Sequence, residues 1–222
     1  NGFSWDYKSD GGYDNIWATI TSSNYSNSLT SGSQLMKLLN SGAWWNGTSG
    51  SYYNNNTTAT TVNFTNYKLS DKAKSYITTS RYYLGGYNNT TPLTNEMYGY
   101  ERGTLRYNTD RPLYWEGMVG LMYPSDYGYA AGNTCVTGTK LYDYEGECIN
   151  KDWLYISNTV QWIMSPDPGY SNYAFAVASM GHVGDGDFVF YDRLVRPVFY
   201  LSSSASISEG EGTSTDPYIL SE

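Results

Sequence analysis

Thiol and imidazole groups are scarce in this sequence: two cysteines, Cys135 and Cys148, and a single histidine, His182. Thiols beside an imidazole suit nucleophilic, redox or zinc chemistry. Here the cysteines have twelve residues between them and His182 lies far beyond both, so no standard zinc pattern forms. No Gly-x-Ser-x-Gly elbow serves His182, and no glycine loop cradles a phosphate. Glu145 and Glu147 form a carboxylate pair in the polar stretch between the cysteines, where solvation accounts for them. That stretch, rich in Gly, Thr and Tyr, reads as a loop with no apolar place for a thiol, so a disulfide is expected there rather than two free thiols. An enzyme, a metal and a cofactor are all absent from this reading.

The densest group of contact-forming residues runs from 166 to 194. Phe188, Phe190 and Tyr191 sit beside Asp185, Asp187, Asp192 and Arg193, with His182, Tyr170 and Tyr173 just before them. Aromatic anchors among charges have the composition of a binding hot spot. A strand shows only one face to solvent, so about half of these rings, with Phe188 and Phe190 the example, are expected in the core. Asp185 and Asp187, flanked by Gly184 and Gly186, read as turn formers; a calcium loop needs six to eight oxygens, and two carboxylates fall short.

Composition narrows the partner. Of the 222 residues only 15% are charged, 17% are aromatic and 25 are tyrosine, a vocabulary shared with antibody paratopes and secreted surfaces. A net charge of −8 excludes nucleic acid, whose phosphates need a basic face. No stretch is long and apolar enough to span a bilayer, so any membrane tie would run through an N-terminal segment absent from the chain.

The elements that must position these residues are short. Residues 1–30 read as an irregular lead-in holding Trp5, Tyr13, Ile16, Trp17 and Ile20, with one short strand at most. Helical spacing predicts a helix over 33–40, capped by Ser33 and ended by Gly42, and a second over 70–79, capped by Ser70. Residues 44–64 read as polar loop. Later, strands are predicted at 161–164, 173–179, 188–191 and 195–201, the last an edge or bulged strand because of Pro197. The tail 209–217 is a turn region before Tyr218-Ile-Leu220. One α+β domain over 1–222 with two short helices, short antiparallel strands and long loops follows. Trp153 and Trp162 belong to its aromatic frame. Arg196, inside an apolar strand, is expected to be partly buried and matched to carbonyls or to a carboxylate such as Asp126.

An ordered string of phrases carries a family resemblance over about 68–220. It comprises Tyr82-Tyr-Leu-Gly-Gly-Tyr87, Met97-Tyr-Gly-Tyr-Glu-Arg102, Gly120-Leu-Met-Tyr-Pro-Ser-Asp-Tyr-Gly-Tyr129, Asp152-Trp-Leu-Tyr155, Gln161-Trp-Ile-Met-Ser-Pro166, Val195-Arg-Pro-Val-Phe-Tyr-Leu201 and Gly210-Glu-Gly-Thr-Ser-Thr-Asp-Pro-Tyr-Ile-Leu220. Together they resemble exported gut-bacterial proteins, many prepilin-like, whose C-terminal domain has the C-type lectin fold in its formylglycine-generating-enzyme version. The resemblance implies an extracellular, cell-surface domain that binds a protein or other macromolecular ligand, with pilus subunits as possible neighbours. Such domains also serve diversity-generating retroelements, which rewrite Asn codons just ahead of a fixed closing strand. The matching window is 166–194, where relatives are rich in Asn, Ser and Tyr and this chain reads Met180-Gly-His-Val-Gly-Asp-Gly-Asp-Phe-Val-Phe-Tyr-Asp-Arg-Leu194. Two competitors stand beside it: a structural pilin-like subunit, and a formylglycine-generating-enzyme-like oxidoreductase needing both thiols. The Glu-Pro-Asn, Gln-Pro-Asp and Trp-Asn-Asp triplets of calcium-dependent sugar binders are absent.

Overall fold

The computed structural model describes residues 2–7, 32–53, 58–84, 86–87, 92–103, 105, 113–149, 154–167, 170, 172–213 and 215–221. Most of the lead-in (8–31) and Trp153 lie outside them. The fold is mixed α+β, with short helices and short antiparallel strands.

The first helix, α1 (Gln34–Asn40), forms as its sequence dictates. The Ser33 side chain accepts from the Met36 amide, and Leu35, Leu38 and Leu39 are buried. Gly42 precedes a second helix, α2 (Ala43–Asn46), instead of simply ending the first. The stretch read as polar loop after it is a hairpin of β1 (Ser49–Tyr52) and β2 (Thr60–Asn63). Its alternation is hidden because neither strand carries a row of apolar residues: Tyr52 and Val62 pack against the core from the hairpin, and Phe64, just past it, is buried there. Ser70 caps α3 (Asp71–Ser75), which is shorter than its spacing predicted. Ile77 has left the helix to bridge Leu201.

β3 (Ser80–Tyr83) pairs with β4 (Tyr114–Gly117), with α4 (Thr94–Glu101) between them in sequence. β5 (Val119–Leu121) then leads into α5 (Pro124–Tyr129) and α6 (Asn133–Gly138). Among the described residues the two helices expected are therefore joined by four more, each too short to show an apolar period. Asn40 ties α1 to β5: its amide donates to the carbonyls of Met36 and Val119 and its oxygen accepts from Met118 and Val119. A buried Asn is tolerable only when satisfied in this way.

Cys135 and Cys148 form a disulfide across 5.6 Å between Cα atoms. The segment between them is not the loop its polarity implied. Cys135 lies on α6 and is buried with Tyr127, Leu141 and Tyr144, and two 3-10 turns follow.

The central sheet is β6 (Gln161–Pro166), β7 (Tyr173–Val177) and β8 (Val183–Phe188), all antiparallel. It separates two apolar clusters. Trp162, Met164, Ala174 and Ala176 pack on one side with Trp5, Leu35 and Trp115. Ile163, Phe175 and Val177 pack on the other with Met97, Tyr127 and Tyr144. The alternation expected for 173–179 is therefore present, but both of its faces are buried. β8 replaces the strand expected at 188–191, where the chain turns instead. β9 (Pro197–Phe199) pairs with β5, in keeping with Pro197. The tail closes as a small hairpin, β10 (Ile207–Glu209) with β11 (Ile219–Leu220), around glycines 210 and 212 at positive φ.

Two predictions follow from this packing. Reducing the disulfide, or Cys135→Ala with Cys148→Ala, lowers the unfolding free energy by about 3 kcal/mol, read from urea midpoints with and without reductant. The second concerns Glu101, fully buried and accepting hydrogen bonds from the Ser125 amide and hydroxyl. Burial pushes its carboxyl up to about 8, against the opposing pull of the Ser125 bonds. An unfolded glutamate ionises near pH ~4.3, so between these values the folded protein keeps a proton that the unfolded chain has lost. Stability therefore falls as pH rises from about 4.5 to about 8, by at most about 1.4 kcal/mol per unit. Glu101→Gln, which copies the neutral acid, flattens that slope in urea melts taken across the range.

Candidate functional site

β7 and β8 are out of step by one residue. Val177 pairs with Val183 and Ala176 with Gly184, but Ala174 pairs with Asp187 and Tyr173 with Phe188. Asp185 and Gly186 together oppose Phe175, a bulge that inverts the facing of everything after it. As a result Phe188 stands beside Tyr173, on the Phe175 side of the sheet but past the end of the covered core. These two aspartates are not turn formers: both lie in β8, and the turn is at 178–182.

A strip of rings results. Tyr170 meets Tyr173 at 5.6 Å between centroids, Tyr173 meets Phe188 at 4.5 Å, and Phe188 stacks on Phe190 at 4.9 Å. Tyr191 packs edge-on against both phenylalanines, and Tyr7 touches Phe190 from the N-terminal segment. Tyr170 is 64% exposed and the other four window rings are half-buried. Phe188 and Phe190, candidate binding rings that alternation could equally have sent into the core, are only half-buried. The core position is the residue between them, Val189, which is fully buried and backed by Trp5 and Trp162.

The strip ends on an ion pair. Arg193 donates through Nε and Nη2 to both carboxylate oxygens of Asp187, at 2.6 and 3.0 Å, and its guanidinium lies 4.8 Å from the Tyr191 ring centroid. Such a bidentate pair is geometrically fixed. It engages both Asp187 oxygens, which leaves little for a cation there, and no metal-ligand cluster exists among the described residues. Asp192 is exposed and its carbonyl accepts from Arg193 Nη1. His182 is not part of the strip. It lies at the far end of β8, against Tyr142 at 5.3 Å.

Three supporting features escaped the sequence reading. The N-terminal segment, taken as irregular lead-in, runs along 189–193: Phe3 and Arg193 exchange backbone hydrogen bonds, the Asp6 amide donates to Val189, and Ser4 Oγ donates to the Phe190 carbonyl. Trp162 Nε1 donates to the Phe3 carbonyl at 2.7 Å, which fixes that segment to β6. Asp167, buried at the end of β6, accepts from the Tyr170 amide and so holds that residue's backbone. Its signal was the Asp-Pro pair at 167–168, a turn initiator. Arg196 is half-buried, as its place in an apolar strand predicts, and the Asp126 carboxylate accepts from Arg102 and from the Tyr123 amide.

No family model, curated protein or solved structure matches this chain.

The division between Val189 and its neighbours is measurable. Val189→Ala lowers the unfolding free energy by about 2 kcal/mol, and Phe190→Ala by less than about 1 kcal/mol, in urea denaturation.

Proposed function

We propose that this chain is an extracellular, surface-displayed domain that binds a macromolecular ligand, above all a protein surface, through the window 166–194. The observation that carries the reading is the strip of five partly exposed rings, closed by Arg193 and seated on a core buried on both sides of its sheet. Rings held by neighbours lose little rotamer freedom when a partner covers them, so a modest patch binds usefully. The mixture of Tyr, Phe, Asp and Arg favours a protein over a polyanion, and the net charge of −8 favours it further.

The finer fold belongs to the same proposal: a C-type lectin-like domain of the formylglycine-generating-enzyme type. Short antiparallel strands, long connections and a closing strand directly after the window support it. On this reading the window is what a diversity-generating retroelement rewrites. Binding rather than oxidation is favoured because both thiols are joined in the disulfide. A structural pilin-like subunit is the second reading, and one observation favours it. Leu201, Ile207, Tyr218 and Ile219 are exposed around the C-terminal hairpin, where a neighbouring subunit would cover them.

Sequencing the gene from several related strains tests the proposal. Ligand binding through a diversified window expects substitutions at 170, 173, 188, 190 and 191 with 174–177 and 189 constant. Changes spread evenly over the surface, or none in the window, would overturn it in favour of the subunit reading.

A further inference from the structure

The side of β8 turned away from the ring strip borders a cleft of about 350 Å³. Its floor is Ala176, Ala178, Gly184 and Gly186, and a methyl group placed on either glycine would meet nothing within 4 Å. Asp187 stands at one end and His182 with Tyr142 at the other. A second, smaller depression of about 150 Å³ shares Tyr142 and His182 with it and is lined also by Asp143, Glu145 and Met180. Asp143 and Glu145 are exposed, and the Tyr142 ring, 47% exposed, is braced edge-on by the imidazole. No lysine or arginine is among the described residues lining either part.

The cleft is an open, mainly apolar trough, and the aromatic ring at its end is shared with a depression that holds two carboxylates, in a chain of net charge −8. A ligand that matches this lining is aliphatic along its length and cationic at its tip. Guanidinium meets the second condition better than ammonium, because it is planar, weakly hydrated and stacks on aromatic faces. The first is met by its three-methylene stem. Asp187 does not serve the cation, since Arg193 already occupies both of its oxygens. We propose that this cleft receives an arginine side chain of the bound partner, the stem on the Ala–Gly floor and the guanidinium over Tyr142 beside Asp143 and Glu145. The inference rests on the binding reading above and adds the class of partner side chain that the window's second surface takes.

His182 is the chain's sole histidine, so its ring signals in a 1H–13C spectrum are a single reporter inside the cleft. Nα-acetyl-arginine amide titrated into the full chain is expected to shift them saturably. The uncharged analogue Nα-acetyl-citrulline amide should bind at least about tenfold more weakly. Gly184→Leu, placed where the backbone leaves open space, fills the trough and abolishes the response with an unchanged melting temperature. Tyr142→Ala weakens the response without abolishing it. No shift with arginine, an equal shift with citrulline, or a full response in folded Gly184→Leu would each overturn the proposal. A negative titration alongside a variable window removes this inference alone. A constant window with a positive titration removes the binding-face reading and leaves an arginine site standing.

Discussion

Burial of the β6–β7 pair on both of its faces is the constraint on which the remaining structure depends. Alternation along a strand sends neighbouring side chains to opposite sides, so Trp162 and Ile163, or Ala174 and Phe175, belong to different apolar clusters although they are adjacent in sequence. Neither cluster can form without this wall. The helices around the disulfide close one side of it, and the N-terminal segment with α1 closes the other. A ligand surface attached to the end of such a wall inherits its rigidity, because shifting Tyr173 or Phe188 means shifting strands packed on both faces.

The surface is held from three directions. The β7–β8 pairing fixes Tyr173 and Phe188, the Asp167 carboxylate holds the Tyr170 amide, and the N-terminal residues from Phe3 to Asp6 fix the backbone of 189–193. The Asp187–Arg193 pair stands where the ring strip meets the Ala–Gly cleft, its guanidinium against Tyr191 on one side and its carboxylate lining the cleft on the other. The two surfaces are thereby coupled through one ion pair with both partners partly shielded from solvent.

Sequence reading found what depends on local chemistry. Ser33 and Ser70 announce their helices because a hydroxyl at that position satisfies an otherwise orphaned amide. Pro197 announces an edge because it has no proton to donate. The disulfide was expected, although for an incomplete reason: Cys135 is buried among apolar neighbours, not stranded in a loop. What stayed hidden is set by distant partners. Nothing in Phe3-Ser4-Trp5-Asp6 tells that it lies along residues 189–193. The hairpin of β1 and β2 has no apolar row to reveal it. Which of Phe188, Val189 and Phe190 turns inward was not legible either, because the phase is set by the bulge at 185–186, and Val189 takes the buried place.

That bulge also limits how the segment can change. Exchanging one surface side chain for another leaves the inside–outside phase of β8 untouched. Losing or gaining a single residue near Asp185 and Gly186 would rotate that phase by half a period, drawing Phe188 toward the Trp162 side and turning Val189 out to water. The segment is thus permissive in its alphabet and strict in its count, and only substitution at constant length leaves the scaffold beneath it intact.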